Sequence, residues 1–177
     1  PEVHRLWHTA FKDRHGRLGV RERHHRLGFM LCLFGMLRQR AATRLIVSYQ
    51  VVPSERGLLV VFNPDSDLTV VRGEAGLVPH IVINVDVDKN VNSAKRRQAY
   101  IPGFVTALGI DTVEELESYL ITVRPPTGGF LLAAPKAIKQ LTFFTTPFTG
   151  MAKVFNQAFR KVFPASERAD LIGSHSG

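Results

Sequence analysis

Residues 80–88 read His-Ile-Val-Ile-Asn-Val-Asp-Val-Asp. Ile81, Ile83, Val85 and Val87 occupy every second position of this stretch, and two aspartates lie between or beside them. A period of two is the repeat of a β-strand, so one face of this strand is predicted to be buried and the other solvated. The stretch therefore predicts an antiparallel sheet that covers a core on one side.

Three further strands are predicted before this stretch. Residues 45–52 and 58–62 are rich in β-branched and other apolar side chains, and residues 53–57 between them are turn formers. This arrangement favours a β-hairpin. Residues 68–72 follow a second turn and are predicted to form the next strand.

Helical spacing is found on both sides of the strand region. Residues 21–42 carry an apolar stripe and have arginines at both ends, which predicts an amphipathic helix. The stripe consists of Leu27, Met30, Leu31, Phe34, Leu37 and Ala41. A second helix is predicted over residues 93–108, with Pro102 as a kink. Asp111, with Glu114 three positions later, is typical of the N-cap of a third helix.

The two ends of the chain give weaker patterns. Residues 1–20 are expected to be irregular, because Gly16 and Gly19 disfavour a helix. Towards the other end, Pro135 suits the first turn of one helix and Pro147 the first turn of another.

Together these patterns predict an α+β fold, in which helices pack a small antiparallel sheet and helical extensions lie at the N and C termini. Residues 1–44 are interpreted as a basic arm with an amphipathic helix, residues 45–124 as the α+β core, and residues 125–177 as an amphipathic helical tail. These three parts carry net charges of +7, −3 and +4 within a total of +8. The basic ends indicate partners that are acidic or anionic.

A calcium loop is the nearest match to a metal motif. Asp86, Asp88 and Asn90 resemble the start of such a loop. However, Val91 stands where the loop requires glycine, and Arg97 stands where it requires a bidentate glutamate. Solvated strand residues are the better interpretation.

No other catalytic, cofactor-binding or metal site is predicted. His4 and His8 have the spacing of two zinc ligands on a helix, but no third ligand stands at a complementary spacing. The single cysteine, Cys32, lies between leucines and is expected to be an inert buried thiol. The sequence contains neither a nucleophile elbow nor a glycine-rich phosphate loop.

Two sets of residues are the candidate partner-binding residues. Cations that could neutralise phosphates, or form an ordinary solvated surface, make up the first set: Arg38, Arg40, Arg44, Lys95, Arg96 and Arg97. The second set belongs to the amphipathic tail: Phe148, Met151, Phe155, Phe159, Lys153, Arg160 and Lys161. The tail helix could lie on an anionic membrane, dock into a groove of a protein partner, or pack on its own domain.

Four segments also carry a family resemblance. Residues 46–52 read Ile-Val-Ser-Tyr-Gln-Val-Val, residues 58–62 read Leu-Leu-Val-Val-Phe, and residues 65–70 read Asp-Ser-Asp-Leu-Thr-Val. Residues 98–111 read Gln-Ala-Tyr-Ile-Pro-Gly-Phe-Val-Thr-Ala-Leu-Gly-Ile-Asp. In this order they resemble the C-terminal half of the MAM33/p32 family of mitochondrial matrix proteins, over residues 45–120. The resemblance implies a ring-shaped trimer that acts as a binding scaffold without enzymatic activity.

The functional expectation combines this resemblance with the basic ends. We expect a non-catalytic accessory subunit of a large mitochondrial assembly on the matrix side, with ATP synthase or another respiratory-chain complex as the preferred host. Its partners would be other subunits, with anionic lipid of the inner membrane as a further contact. The alternative is an RNA-binding protein of the mitochondrial ribosome. A small enzyme with an unrecognised pocket is a third hypothesis. An Arg- and His-rich start would fit the removal of a presequence.

Overall fold

The computed structural model describes residues 2–74, 76–85, 97–132 and 148–163. The helices are α1 (Glu2–Arg5), a π-helical turn (Leu6–Ala10), α2 (Val20–Phe34), α3 (Gln39–Ala42), a 3-10 turn (Thr106–Leu108), α4 (Thr112–Val123) and α5 (Met151–Val162). The strands are β1 (Ile46–Val47), β2 (Tyr49–Ser54), β3 (Gly57–Phe62), β4 (Leu68–Val71), β5 (His80–Val85), β6 (Arg97–Pro102), β7 (Phe104–Val105), β8 (Ile110–Asp111) and β9 (Gly129–Phe130). Helices and small antiparallel sheets together confirm the predicted α+β class.

The strand predicted over residues 80–88 is the centre of a three-stranded sheet. β5 pairs with β4 on one side and with β6 on the other, both antiparallel. Ile81 and Ile83 are fully buried and Val85 is nearly so, as the alternation predicts. Residues 86–88, which the predicted strand also includes, lie outside the described residues.

The predicted hairpin is confirmed as β2 and β3. Gly57 follows the two-residue turn and has a φ of +115°, a backbone conformation that would be strained in a residue with a side chain. The sheet region does not stop at residue 124, because β9 pairs antiparallel with β1. The Tyr49 hydroxyl donates a hydrogen bond to the Pro125 carbonyl at 2.6 Å, and that of Tyr119 donates to the Leu131 carbonyl at 2.8 Å. Residues 125–132 therefore fold with the core.

The helix predicted over residues 93–108 is wrong for residues 97–105, and residues 106–108 form a 3-10 turn. Residues Arg97–Pro102 form β6, which pairs along its whole length with β5. Ala99 and Ile101 are buried while their neighbours are exposed, which is the period of a strand. Pairing with β5 satisfies the backbone and buries these two side chains, so tertiary structure overrides the local helical pattern.

Residues 1–20 are also less irregular than expected. Residues 2–10 are helical, and the side chains of Leu6, Trp7 and Phe11 are nearly completely buried. These apolar positions recur at the spacing of a single helical turn, a signal that the two later glycines obscured.

The amphipathic helix predicted over residues 21–42 is two helices. α2 ends at Phe34, and the backbone N–H of Gly35 donates a hydrogen bond to the Leu31 carbonyl. Residues 35–38 separate α2 from α3. Gly28 lies inside α2 despite its low helix propensity. A side chain at this position would meet the Met151 side chain of α5, so the glycine leaves room for Met151 to pack against α2.

The tail helix α5 packs on its own chain, which is one of the three arrangements that the sequence left open. The Phe155 ring meets that of Phe29 edge to face, with centroids 5.5 Å apart. The Lys161 ammonium donates a hydrogen bond to the Lys12 carbonyl at 2.6 Å. α5 is thereby joined both to α2 and to the N-terminal helical region. The helix predicted from Pro135 lies outside the described residues.

Two histidines line the seam between α2 and the residues that lead into α5. The ring of Phe148 stacks on that of His25, with centroids 6.1 Å apart, and meets the ring of His24 edge to face at 5.0 Å. Burial, assisted by the nearby Arg21 charge, lowers the pKa of His25 to about 4. His25 is therefore neutral at neutral pH.

A bidentate ion pair joins α2 to α4. Arg26 donates hydrogen bonds of 2.8 and 2.6 Å to the two carboxylate oxygens of Glu115, and the side chains are only 13% and 11% exposed. The Arg26 guanidinium also lies over the Trp7 ring, 4.8 Å from its centroid. One side chain therefore connects three helical segments, in a geometry that arginine can provide and lysine cannot.

Removing one partner of this pair is expected to leave a buried charge without compensation. We expect Arg26→Ala to lower the free energy of unfolding by about 3–5 kcal/mol, measured by urea denaturation. Removing both charges with Arg26→Met and Glu115→Leu together should cost less than Arg26→Ala alone, because no unpaired charge remains. Arg17→Ala is the matched control, since its pair with Asp13 is exposed and is worth about 1 kcal/mol or less. Equal losses in Arg26→Ala and Arg17→Ala would contradict this role.

The buried His25 is expected to make stability depend on pH. Its folded pKa of about 4 lies below the ordinary histidine value of 6.5, so the unfolded chain binds the proton first as the pH falls. We expect the free energy of unfolding to fall between pH 6.5 and pH 4, by at most about 1.4 kcal/mol per pH unit from this group. His25→Phe keeps a ring against Phe148 and should flatten the profile, whereas His15→Gln, at an exposed position, should not. Parallel profiles for wild type and His25→Phe would refute the assignment.

Candidate interaction surfaces

An apolar groove of about 450 Å³ lies between α4 and the strands. Its walls come from β4, from the loop before β5, from β7 and from α4. The apolar lining residues are Val70, Val78, Pro79, Phe104, Val113 and Ile121. The polar lining residues are Arg72, Asp111, Glu114, Glu117 and Ser118. This surface, called the α4 groove below, has the size and the mixed lining of a ligand or peptide site.

Close backbone packing holds the end of the α4 groove in place. Gly103 donates its N–H to the Pro79 carbonyl at 2.8 Å, and Thr112 donates its N–H to the Gly103 carbonyl at 3.0 Å. A side chain at Gly103 would collide with the Pro79 backbone. The Thr112 hydroxyl also donates a hydrogen bond to the Pro102 carbonyl. The groove is therefore formed before any ligand arrives.

The edge of the α4 groove exposes large apolar side chains. Val78 is 69% exposed and Phe104 is 51% exposed, and Leu77 beside Val78 is 62% exposed. Single exposed apolar residues are common on protein surfaces, but a group of them around a concave site marks an interaction surface. These residues are not among the candidates that the sequence predicts. Their only signal in the sequence is their position: Val78 precedes Pro79, and Phe104 follows Gly103. Pro79 and Gly103 are the two residues whose backbones are in close contact.

The α4 groove is acidic. Asp111 caps α4 by accepting a hydrogen bond from the Glu114 N–H at 2.8 Å, which confirms the predicted N-cap. Glu117 pairs with Arg72, whose guanidinium also donates to the Val60 carbonyl at 3.3 Å. Three carboxylates and one guanidinium therefore line the groove, a net charge of minus two. The amino end of α4 adds roughly half a positive charge, so the groove remains negative.

A second, more polar hollow adjoins the α4 groove. Both hollows share Phe104, Asp111, Glu114 and Ser118 as lining residues. The second hollow continues to the N-terminal helical region and to the Arg26–Glu115 pair. The first half of α4 therefore presents one continuous concave surface on both sides of Phe104.

The basic candidate residues do not line the α4 groove. Arg38, Arg40 and Arg44 are exposed in and around α3, and Arg97 is exposed at the start of β6. Lys95 and Arg96 lie outside the described residues. The described members of this set thus provide positive charge on two separate elements.

The tail candidate residues divide into two groups. Phe148, Met151 and Phe155 are nearly completely buried within the chain, and Phe159 is half-buried. The cations Lys153, Arg160 and Lys161 are exposed, and the Lys161 ammonium donates to the Lys12 carbonyl. In this arrangement the apolar stripe stabilises the fold, and the cations remain on the surface.

Cys32 and the His4–His8 pair are the described candidates for catalysis or metal binding. Burial raises the pKa of Cys32 to about 12, so its thiol stays protonated and unreactive at neutral pH. The rings of His4 and His8 lie 4.3 Å apart. Among the described residues, no group of three histidine, cysteine or acidic side chains could hold a metal ion. The calcium-like residues Asp86, Asp88 and Asn90 lie outside the described residues.

No helix in the described part of the chain is long and apolar enough to cross a membrane. Comparison with known proteins adds no assignment. The chain matches no protein-family model, and neither a curated protein nor a solved structure matches it.

Proposed function

We propose that the protein is a non-catalytic, protein-binding accessory subunit of a larger assembly. The observation that carries this proposal is the α4 groove with its exposed apolar edge at Leu77, Val78 and Phe104. Burial of such side chains by a partner stabilises the complex by about 25 cal/mol per Å² of apolar surface. A preformed groove also binds at a lower entropic cost than a surface that must first become ordered.

The composition of the α4 groove favours binding over catalysis. Asp111 is engaged as a helix cap, and Glu117 is paired with Arg72. Ser118 is the hydroxyl-bearing residue of the lining. His8 lines the adjoining hollow together with Ser118, but no hydrogen bond joins the two side chains in the described part of the chain. A serine nucleophile requires a neighbouring base. The remaining carboxylate, Glu114, is exposed to solvent.

The identity of the host assembly rests on the sequence. The resemblance of residues 45–120 to the MAM33/p32 family supports a mitochondrial host on the matrix side, with ATP synthase or another respiratory-chain complex preferred. The exposed cations of α5 would add contacts with acidic subunits or with anionic lipid at the inner membrane.

Sizing of the native complex tests this proposal. We expect the tagged protein, purified from mitochondria in a mild detergent, to migrate in a large complex that nuclease treatment leaves intact. Val78→Asp should release the protein from the complex, because a charge replaces an exposed apolar contact. Leu58→Asp is the matched control, since Leu58 is 48% exposed on the hairpin and does not line the groove.

The opposite outcomes are equally informative. Release by nuclease would favour the RNA-binding alternative, in which the cations of α3, β6 and α5 contact phosphates. A free monomer in the untreated extract would contradict both functions.

A further inference from the structure

We infer that the α4 groove binds a cationic amphipathic segment of a protein partner, with apolar side chains in the groove and lysines or arginines facing its acidic rim. This inference rests on the proposed protein-binding function and adds the chemistry of the partner. Charge, shape and preorganisation of the groove each point to it.

The charge of the α4 groove opposes that of the whole chain. The chain carries a net charge of +8, but residues 45–124, which supply the groove, carry −3. Asp111 and Glu114 form no ion pair with a cation in the part of the chain that the structure describes. Their negative charge is therefore available to a ligand, and it would repel an acidic one.

The apolar lining determines which other side chains the cationic ligand must carry. Val70, Val113 and Ile121 form an inner apolar surface, and Val78 and Phe104 extend it outwards. A purely polar cation would leave this surface in contact with water. A segment with aliphatic or aromatic side chains on one face and cations on the flank satisfies both requirements, as in other cases where a groove binds an amphipathic helix.

The fixed edge of the groove indicates recognition of a defined shape. Gly103 and Pro79 are in backbone contact, and Thr112 ties α4 to the same region through its own N–H. Because these contacts hold β7 against α4, the width of the groove does not depend on long flexible side chains. A preorganised site of this kind discriminates between ligands by charge and apolar spacing.

A direct binding experiment with designed peptides tests the inference. The probe is a fluorescent peptide of about 14 residues with leucine or phenylalanine at i, i+3, i+4 and i+7 and lysine at the flanking positions. A second peptide has the same apolar residues with glutamate in place of every lysine. Binding to the full chain is measured by fluorescence anisotropy at low salt and at physiological salt.

We expect the lysine peptide to bind about tenfold or more tightly than the glutamate peptide, with an affinity that falls as salt is added. Glu114→Lys should weaken its binding about tenfold, and Glu114→Gln, which preserves the shape, should have a smaller effect in the same direction. Val78→Asp should weaken binding of the lysine peptide through loss of the apolar contact. Glu55→Lys and Leu58→Asp, both on the exposed hairpin, serve as charge and apolar controls that leave the affinity unchanged.

Thermal denaturation of every variant tests whether weaker binding is caused by unfolding. We expect every variant to stay folded, since Glu114, Val78 and both control positions are exposed. Equal binding of the two peptides, or equal losses in Glu114→Lys and Glu55→Lys, would overturn the inference. If the native complex survives nuclease and is lost in Val78→Asp, while the lysine peptide fails to bind, the protein-binding function stands and the cationic partner is wrong. If Val78→Asp leaves the native complex intact, the groove is not its docking site.

Discussion

Burial of one helix constrains the rest of the structure. Leu27, Met30 and Leu31 of α2 are fully buried, so α2 must be covered on several sides at once. α4 is held against it by the Arg26–Glu115 pair, and α5 packs its Met151 side chain against Gly28. The sheet reaches the end of the same helix, because the Ile101 side chain lies beside Gly35. Loss of any one of these contacts would expose apolar surface that the others cannot cover.

The same packing explains why the two ends of the chain lie together. The N-terminal helical region buries Leu6 and Trp7, and Arg26 lies over the Trp7 ring. Lys161 of α5 donates hydrogen bonds to the backbone that follows this region. Two basic segments can share a surface because their cations point outwards, stack on aromatic rings or donate to carbonyls.

The α4 groove is formed without any side chain of α2. Its exposed edge, formed by Leu77, Val78 and Phe104, lies outside the buried core, so these side chains can change without disturbing the helix packing that stabilises the fold. This separation is typical of proteins in which function resides on a surface that a rigid scaffold positions. It also explains why an exposed apolar edge can persist there, since the core does not need those side chains for its own stability.

The sequence alone determined the elements whose signals are local. Alternation along residues 80–88 predicted β5 because the period of a strand is set by its own backbone, and Asp111 predicted the start of α4 because a cap bonds to the next turn of the same chain. Tertiary structure decided the rest. Residues 97–102 became a strand because β5 offers them a hydrogen-bonding partner, and Val78, Phe104 and Ile121 form one groove although they are far apart in sequence. No local sequence pattern encodes such a groove, because it depends on the packing of elements that come together only on folding.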